Sequence, residues 1–275
     1  MEVPGLMMEP EWILAYLALG AAVGFVAGLL GVGGGAIMVP ILTTLFVTQG
    51  FPVERIVHMA LATSLASIII TSVSSLRAHH AHGAVLWPVF WRITPGILMG
   101  TFSATFLASY ISSRGLAIFF TVFMAYVALQ MFLNIKPRPA RQLPGAVGLS
   151  AVGVGIGGIS ALVAIGGGSL SVPFMTWCNV QVQRAIGTSA AIGLPIAVAG
   201  TTGYLVSGWG TGGLPAYTLG YVYLPAVLLI SVVSYATAPV GARLAHRLPV
   251  SQLKKIFAVM VLLLAAKMIH SLLSA

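Results

Sequence analysis

Two glycine triplets, Gly33-Gly34-Gly35 and Gly166-Gly167-Gly168, are where this chain most plainly offers chemistry. Each is followed by a proline, Pro40 or Pro173, five residues after its last glycine. Consecutive glycines weaken a helix by about 1 kcal/mol each relative to alanine. They therefore belong where a helix breaks or where backbone must approach something closely. Helices resuming at about 35–36 and 168–169, and running to about 47 and 177, would begin with unpaired N–H groups. Those groups and the positive dipole end bind an anion without any charged side chain. Close helix packing is the other use of such glycines in a membrane.

Hydroxyls recur near the triplets. Thr63 and Ser64 in Ala62-Thr63-Ser64 match Thr188 and Ser189 in Gly187-Thr188-Ser189. They can donate hydrogen bonds to an oxyanion, or back-bond to their own helix carbonyls. Ser169 opens the second short helix as cap, ligand or both. Arg92 falls inside an apolar run, which makes it a functional candidate. It also lies beside Trp87 and Trp91, where an interfacial arginine can snorkel.

Much other chemistry is excluded. The four carboxylates (Glu2, Glu9, Glu11, Glu54) all precede Arg55, so 55–275 holds no carboxylate pair, no hard-cation cage and no acidic proton relay. Cys178 is the single cysteine, which leaves no intramolecular disulfide or multi-thiol relay. His79-His80-Ala81-His82 has no nearby cysteine or carboxylate to complete a metal site and reads as a short cytoplasmic loop. His58, near a helix start, can carry a proton. No G-x-S-x-G, H-E-x-x-H or G-x-x-x-x-G-K-[ST] is present, so neither an enzyme nor an ATP-driven pump is expected, and no cofactor or metal.

The elements that must position these residues are membrane helices. Hydrophobic residues make up 59% of the chain and charged residues 6%, against roughly 25% charged in soluble domains. Apolar stretches run at about 12–47, 56–76, 85–108, 115–135, 145–178, 185–206, 217–241 and 255–273. One span takes about 20 residues, so the first and fifth are too long for one and barely long enough for two. Both are interrupted by a triplet. The acidic start, MEVPGLMMEPEW, lacks the basic region of a cleaved signal peptide.

Triplet, proline, Thr-Ser pair and a glycine turn (Gly83, Gly213) follow in the same order twice. The expected fold class is an all-α polytopic membrane protein of two repeats, 1–142 and 143–275, forming one membrane domain. Each repeat has a Gly-broken, re-entrant or twice-crossing hairpin followed by three spans. Arg77, Lys136, Arg138, Arg141, Arg184, Arg243, Arg247, Lys254 and Lys255 then fall on one side, taken as inside, and both termini fall outside. The net charge of +9 is thus an orientation signal and not a nucleic-acid footprint. Each half crosses an odd number of times, so the repeats are inverted, as in many secondary transporters.

The chain resembles the sulfite exporter TauE/SafE family of bacterial inner-membrane proteins. The resemblance rests on G-L-L-G-V-G-G-G-A-I-M-V-P at 28–40, I-G-G-G-S-L-S-V-P at 165–173, A-T-S at 62–64, G-T-S at 187–189 and A-P-V-G-A-R-L-A at 238–245. It spans nearly the whole chain. Ser160-Ala161-Leu162-Val163-Ala164 departs from it, standing where more glycine is usual. The resemblance implies export of a small sulfur-containing anion, sulfite or an organosulfonate such as sulfoacetate. Three classes follow from the residues and the resemblance: a secondary anion transporter, an anion channel, or a non-transporting membrane assembly component. The expected partners are a small anion, the lipid bilayer and, compatibly, further copies of the chain, with no nucleic acid.

Overall fold

Two short helices start where the glycine triplets let them. The computed structural model describes residues 9–30, 34–133, 141–245 and 250–274. Among these the order is α1 (Pro10–Leu30), α2 (Gly35–Thr48), α3 (Ile56–Ala81), α4 (Trp87–Ala108), α5 (Ser113–Phe132), α6 (Ala146–Val163), α7 (Gly168–Trp177), α8 (Val182–Ser207), α9 (Leu224–Ala245) and α10 (Val250–Ser274). Both triplet-led helices are short. At 1.5 Å per residue, the 14 residues of α2 reach about 21 Å and the 10 of α7 about 15 Å, well under a bilayer's hydrocarbon thickness. A two-stranded antiparallel ribbon, β1 (Thr218–Leu219) and β2 (Val222–Tyr223), precedes α9.

Helices α3 and α8 pack against each other at the centre. They are the most enclosed of the long apolar helices, 83% and 72% buried against 33–44% for the others. Around them α1 packs on α9, α4 on α6, and α5 on α10. Glycines at four-residue spacing make two of these contacts. A Cβ on Gly20 or Gly24 of α1 would strike the backbone of Ile230 or Ser234, and one on Gly28 would overlap the Ala238 carbonyl. Between α4 and α6, Gly96 and Gly100 face Ser150 and Val154, while Gly153 and Gly157 face the carbonyls of Ile93 and Ile97. Lipid tails supply no hydrophobic drive between helices, so this backbone-to-backbone approach is what holds them.

The outward faces are apolar. Met99, Phe106 and Leu107 of α4, Val122 and Leu129 of α5, and Leu228 and Val232 of α9 are all more than half exposed. Contiguous apolar surface on this scale belongs against lipid. Six helices are long and apolar enough to cross a membrane, and α4 matches them in length. The molecule is an all-α, multi-pass membrane protein.

Candidate functional site

Each triplet ends a helical hairpin. The Tyr16 hydroxyl in α1 is hydrogen-bonded to the Gln49 side chain just past α2, while Gly34 packs on Val23 further along α1. Helix α2 therefore runs back alongside α1 towards the side it came from. The second hairpin is closed in the same way. The Arg141 N–H donates to the Trp177 carbonyl at 3.3 Å, and the guanidinium sits 4.9 Å over the Trp177 ring. At its other end, a Cβ on Gly167 would stand 3.8 Å from Ile156.

Local backbone geometry explains the triplets. Gly34 (φ 78°, ψ −9°) and Gly167 (φ 79°, ψ −14°) are the left-handed N-caps of α2 and α7. An L side chain is strained there, and glycine is not. The tips of the two hairpins meet. Gly35, the first residue of α2, lies so close to the Ala164 carbonyl at the end of α6 that a Cβ would overlap it. Ala164 is itself left-handed at φ 48°, so the departure from a glycine-rich pattern seen in the sequence is accommodated as a strained alanine. The first amides of α2 and α7, those of Gly35, Ala36, Gly168 and Ser169, precede the intrahelical ladder.

The other predicted residues are distributed unevenly. Gly33 lies outside the described residues. Thr63 and Thr188 are fully buried, and each hydroxyl oxygen accepts a backbone N–H, from Tyr223 at 3.1 Å and from Leu86 at 2.9 Å. Ser64 and Ser189 are fully buried beside them, and Ser64 has no hydrogen-bond partner among the described residues. Ser169 is 6% exposed, sits in the first turn of α7 and is also without a partner among them; it does not cap the helix. Arg92 is exposed on α4 next to Trp91, and its carbonyl accepts from Ser150 on α6. It is not brought to the hairpin tips.

His58 is fully buried and braces a turn. Its Nε2 meets the Ala108 carbonyl at 3.0 Å and so carries a proton, because a carbonyl only accepts; its Nδ1 is 3.3 Å from the Ser113 hydroxyl. His79 and His80 belong to the last turn of α3 and not to a loop, because α3 runs on to Ala81. No cluster able to hold a metal occurs among the described residues. Burial pushes the Cys178 thiol up, against the opposing pull of Arg141, which suits packing better than thiolate chemistry.

A feature not read from the sequence lies beside the tips. Ala27 of α1, Thr71, Ser72 and Ser75 of α3, Gly166 before α7, and Ala190 and Gly193 of α8 line a narrow crevice. It leaves about 10 Å³ open to a water's centre, room for about one water. Serines are frequent along α3, so their sequence alone does not single out this pair. The signal is the bare backbone of Gly193 facing them.

Enclosed hairpins with meeting tips, inside a bundle with an apolar exterior, are an arrangement that multi-pass membrane transporters use. The profile of the sulfite exporter TauE/SafE family matches residues 16–268, and the chain belongs to that family. A probable membrane transporter protein of Haemophilus influenzae is 38% identical over 94% of this chain and 98% of its own length. One from Methanocaldococcus jannaschii is 29% identical over 90% and 92%, and the Bacillus subtilis protein YdhB, also a probable membrane transporter, 26% over 84% and 89%. No solved structure matches the chain.

Proposed function

We propose that the protein is a secondary transporter of the bacterial cytoplasmic membrane that exports a small sulfur-containing anion, sulfite or an organosulfonate such as sulfoacetate, by alternating access. The observation that carries this is the meeting of the hairpin tips, Gly35 against Ala164, with the amide ends of α2 and α7 near the centre of the molecule. Backbone N–H groups of 33–35 and 166–168, with the hydroxyls of Ser64, Ser169 and Ser189, replace part of the anion's hydration shell. Thr63 and Thr188 each keep one hydroxyl proton to give, while their oxygens hold the frame.

The two halves, 1–142 and 143–275, act as inverted repeats. A returning hairpin followed by three spans gives each an odd number of crossings, which puts both termini on one face, and the Lys and Arg at the opposite ends of the spans make that face the outer one. The crossed packing, α1 on α9 and α4 on α6, is what such a pair would produce. One half rocking against the other then exposes the tips to either side. Sulfite titrates near neutral pH, so a coupled proton can travel on the substrate, and no acidic side chain is required.

Uptake and counterflow of labelled sulfite and sulfoacetate in proteoliposomes test this reading. Saturable flux with counterflow is expected. Linear conductance would instead mean a channel, and background flux for every anion would mean a membrane component that does not transport.

A further inference from the structure

We propose that Ser72 and Ser75 of α3 form a hydroxyl subsite for the transported oxyanion, facing the amide end of α7 across Gly193. This deepens the transport reading and rests on it.

Four observations converge. Ser72 and Ser75 stand three residues apart, on one face of α3, and both line the crevice beside Gly166. They are 5% and 4% exposed. The Ser75 hydroxyl has no hydrogen-bond partner among the described residues, although leaving a buried hydroxyl unpaired is costly. Gly193 is what keeps the space open: a Cβ there would come 3.0 Å from the Ser72 Oγ and 3.2 Å from the Gly166 carbonyl.

The charge that fits is negative. Helix α7 begins at Gly168, two residues from Gly166, so its positive end lies beside the crevice. No carboxylate follows Glu54 in the chain, and the one on a lining helix, Glu11, stands sixteen residues from Ala27 at the far end of α1, so none at the crevice can offset a cation. Hydroxyl donors opposite a helix N-terminus suit an anion whose oxygens point in several directions, as those of sulfite or a sulfonate do. With room for about one water, the crevice is a closed state of the site, and binding has to widen it.

The subsite is present once. Counting from Thr63 and Thr188, the positions on α8 that match Ser72 and Ser75 are Ala197 and Gly200, which carry no hydroxyl. Gly200 instead packs on Leu65, whose Cδ1 would be 2.7 Å from a Cβ there. The side of the tips nearer Arg77 therefore offers the anion a hydroxyl pair that the matched positions on the other side lack.

The test is sulfite transport by wild type, Ser72→Ala, Ser75→Ala, the double variant and, as a control in α5, Thr121→Val, all in proteoliposomes. Sulfite-dependent thermal stabilisation of the same proteins in detergent is measured in parallel. One hydrogen bond to a charged ligand corresponds to about tenfold in affinity. Each serine variant is expected to raise the half-saturating sulfite concentration about tenfold and the double variant further, with Thr121→Val unchanged. Saturable wild-type transport with unaltered half-saturation in both serine variants would overturn the subsite and leave the transport reading standing. Absence of sulfite transport and stabilisation in well-folded wild type would overturn both. Stabilisation by sodium but not by sulfite, lost in Ser75→Ala, would overturn it in favour of a cation site.

Discussion

Thr63 and Thr188 make the same contact in opposite halves of the chain: the Thr63 Oγ1 accepts the Tyr223 N–H at 3.1 Å, and the Thr188 Oγ1 accepts the Leu86 N–H at 2.9 Å. Each N–H belongs to the residue just before a long helix of the other half, α9 or α4. The matched Thr-Ser pairs thus tie the two halves to each other at the flanks of the central α3–α8 contact.

Replacing either threonine by valine keeps the shape and removes the acceptor. A buried N–H left without a partner costs about 1–3 kcal/mol. Thr63→Val should cost more than Thr188→Val, because the Tyr223 amide is buried and the Leu86 amide only partly so. Thr→Ser at either site should stay near wild type. Thermal unfolding midpoints in detergent read the difference.

The glycines of α6 give a sharper contrast within three residues. Gly153 faces the Ile93 carbonyl, whereas a Cβ on Gly155 would meet nothing within 4 Å. Gly155→Ala should be neutral or stabilising by up to about 1 kcal/mol, from helix propensity alone. Gly153→Ala should separate α6 from α4, lower the midpoint and reduce the yield of monodisperse protein.

The first hairpin is tested by a double-mutant cycle. Tyr16→Phe and Gln49→Leu each break the hydrogen bond that closes α1 onto α2. A coupling energy of about 0.5–1.5 kcal/mol in unfolding is expected. Strictly additive losses would mean that α2 does not return alongside α1.

Under the proposed topology the crossing count puts both termini on one face, and the Lys and Arg distribution makes that face the outer one. Reporter fusions at the N- and C-terminus should both report the outer face. A fusion at the junction near residue 142 should report the inner face; the outer face there, shared with the N-terminus, would give the two halves the same orientation and remove the inverted arrangement.

How far the sequence reached depended on the kind of signal. Helix starts at Gly35 and Gly168 were legible because three glycines in a row make a break that side-chain packing cannot override. Turns at Gly83 and Gly213 were legible for a similar reason, and both have positive φ, 64° and 77°. The ribbon at 218–223 was not, since two-residue strands leave no periodicity to read. Gly20, Gly24 and Gly28 stand at the four-residue spacing of close membrane packing, yet only α9 laid against α1 gives that spacing a partner. The same holds for Ser72 and Ser75, which are ordinary helix serines until Gly193 is placed opposite them. The histidine run reads as a loop because its polarity hides the last turn of α3, which takes in His79 and His80 and leaves His82 just beyond. Arg92 was ambiguous for a physical reason: an arginine near tryptophans satisfies either a buried anion or the membrane interface, and here it is exposed.

The paired hairpin tips are tested most directly by sulfite counterflow in proteoliposomes containing wild type, Gly34→Val or Gly167→Val, with folding checked by size exclusion. Valine is strained at φ near +78°, and its Cβ would also crowd the Val23 side chain at Gly34 or the Ile196 side chain at Gly167. Loss of saturable counterflow by more than tenfold in both monodisperse variants is the expected result. Wild-type counterflow in either variant would contradict a shared anion site at the two tips.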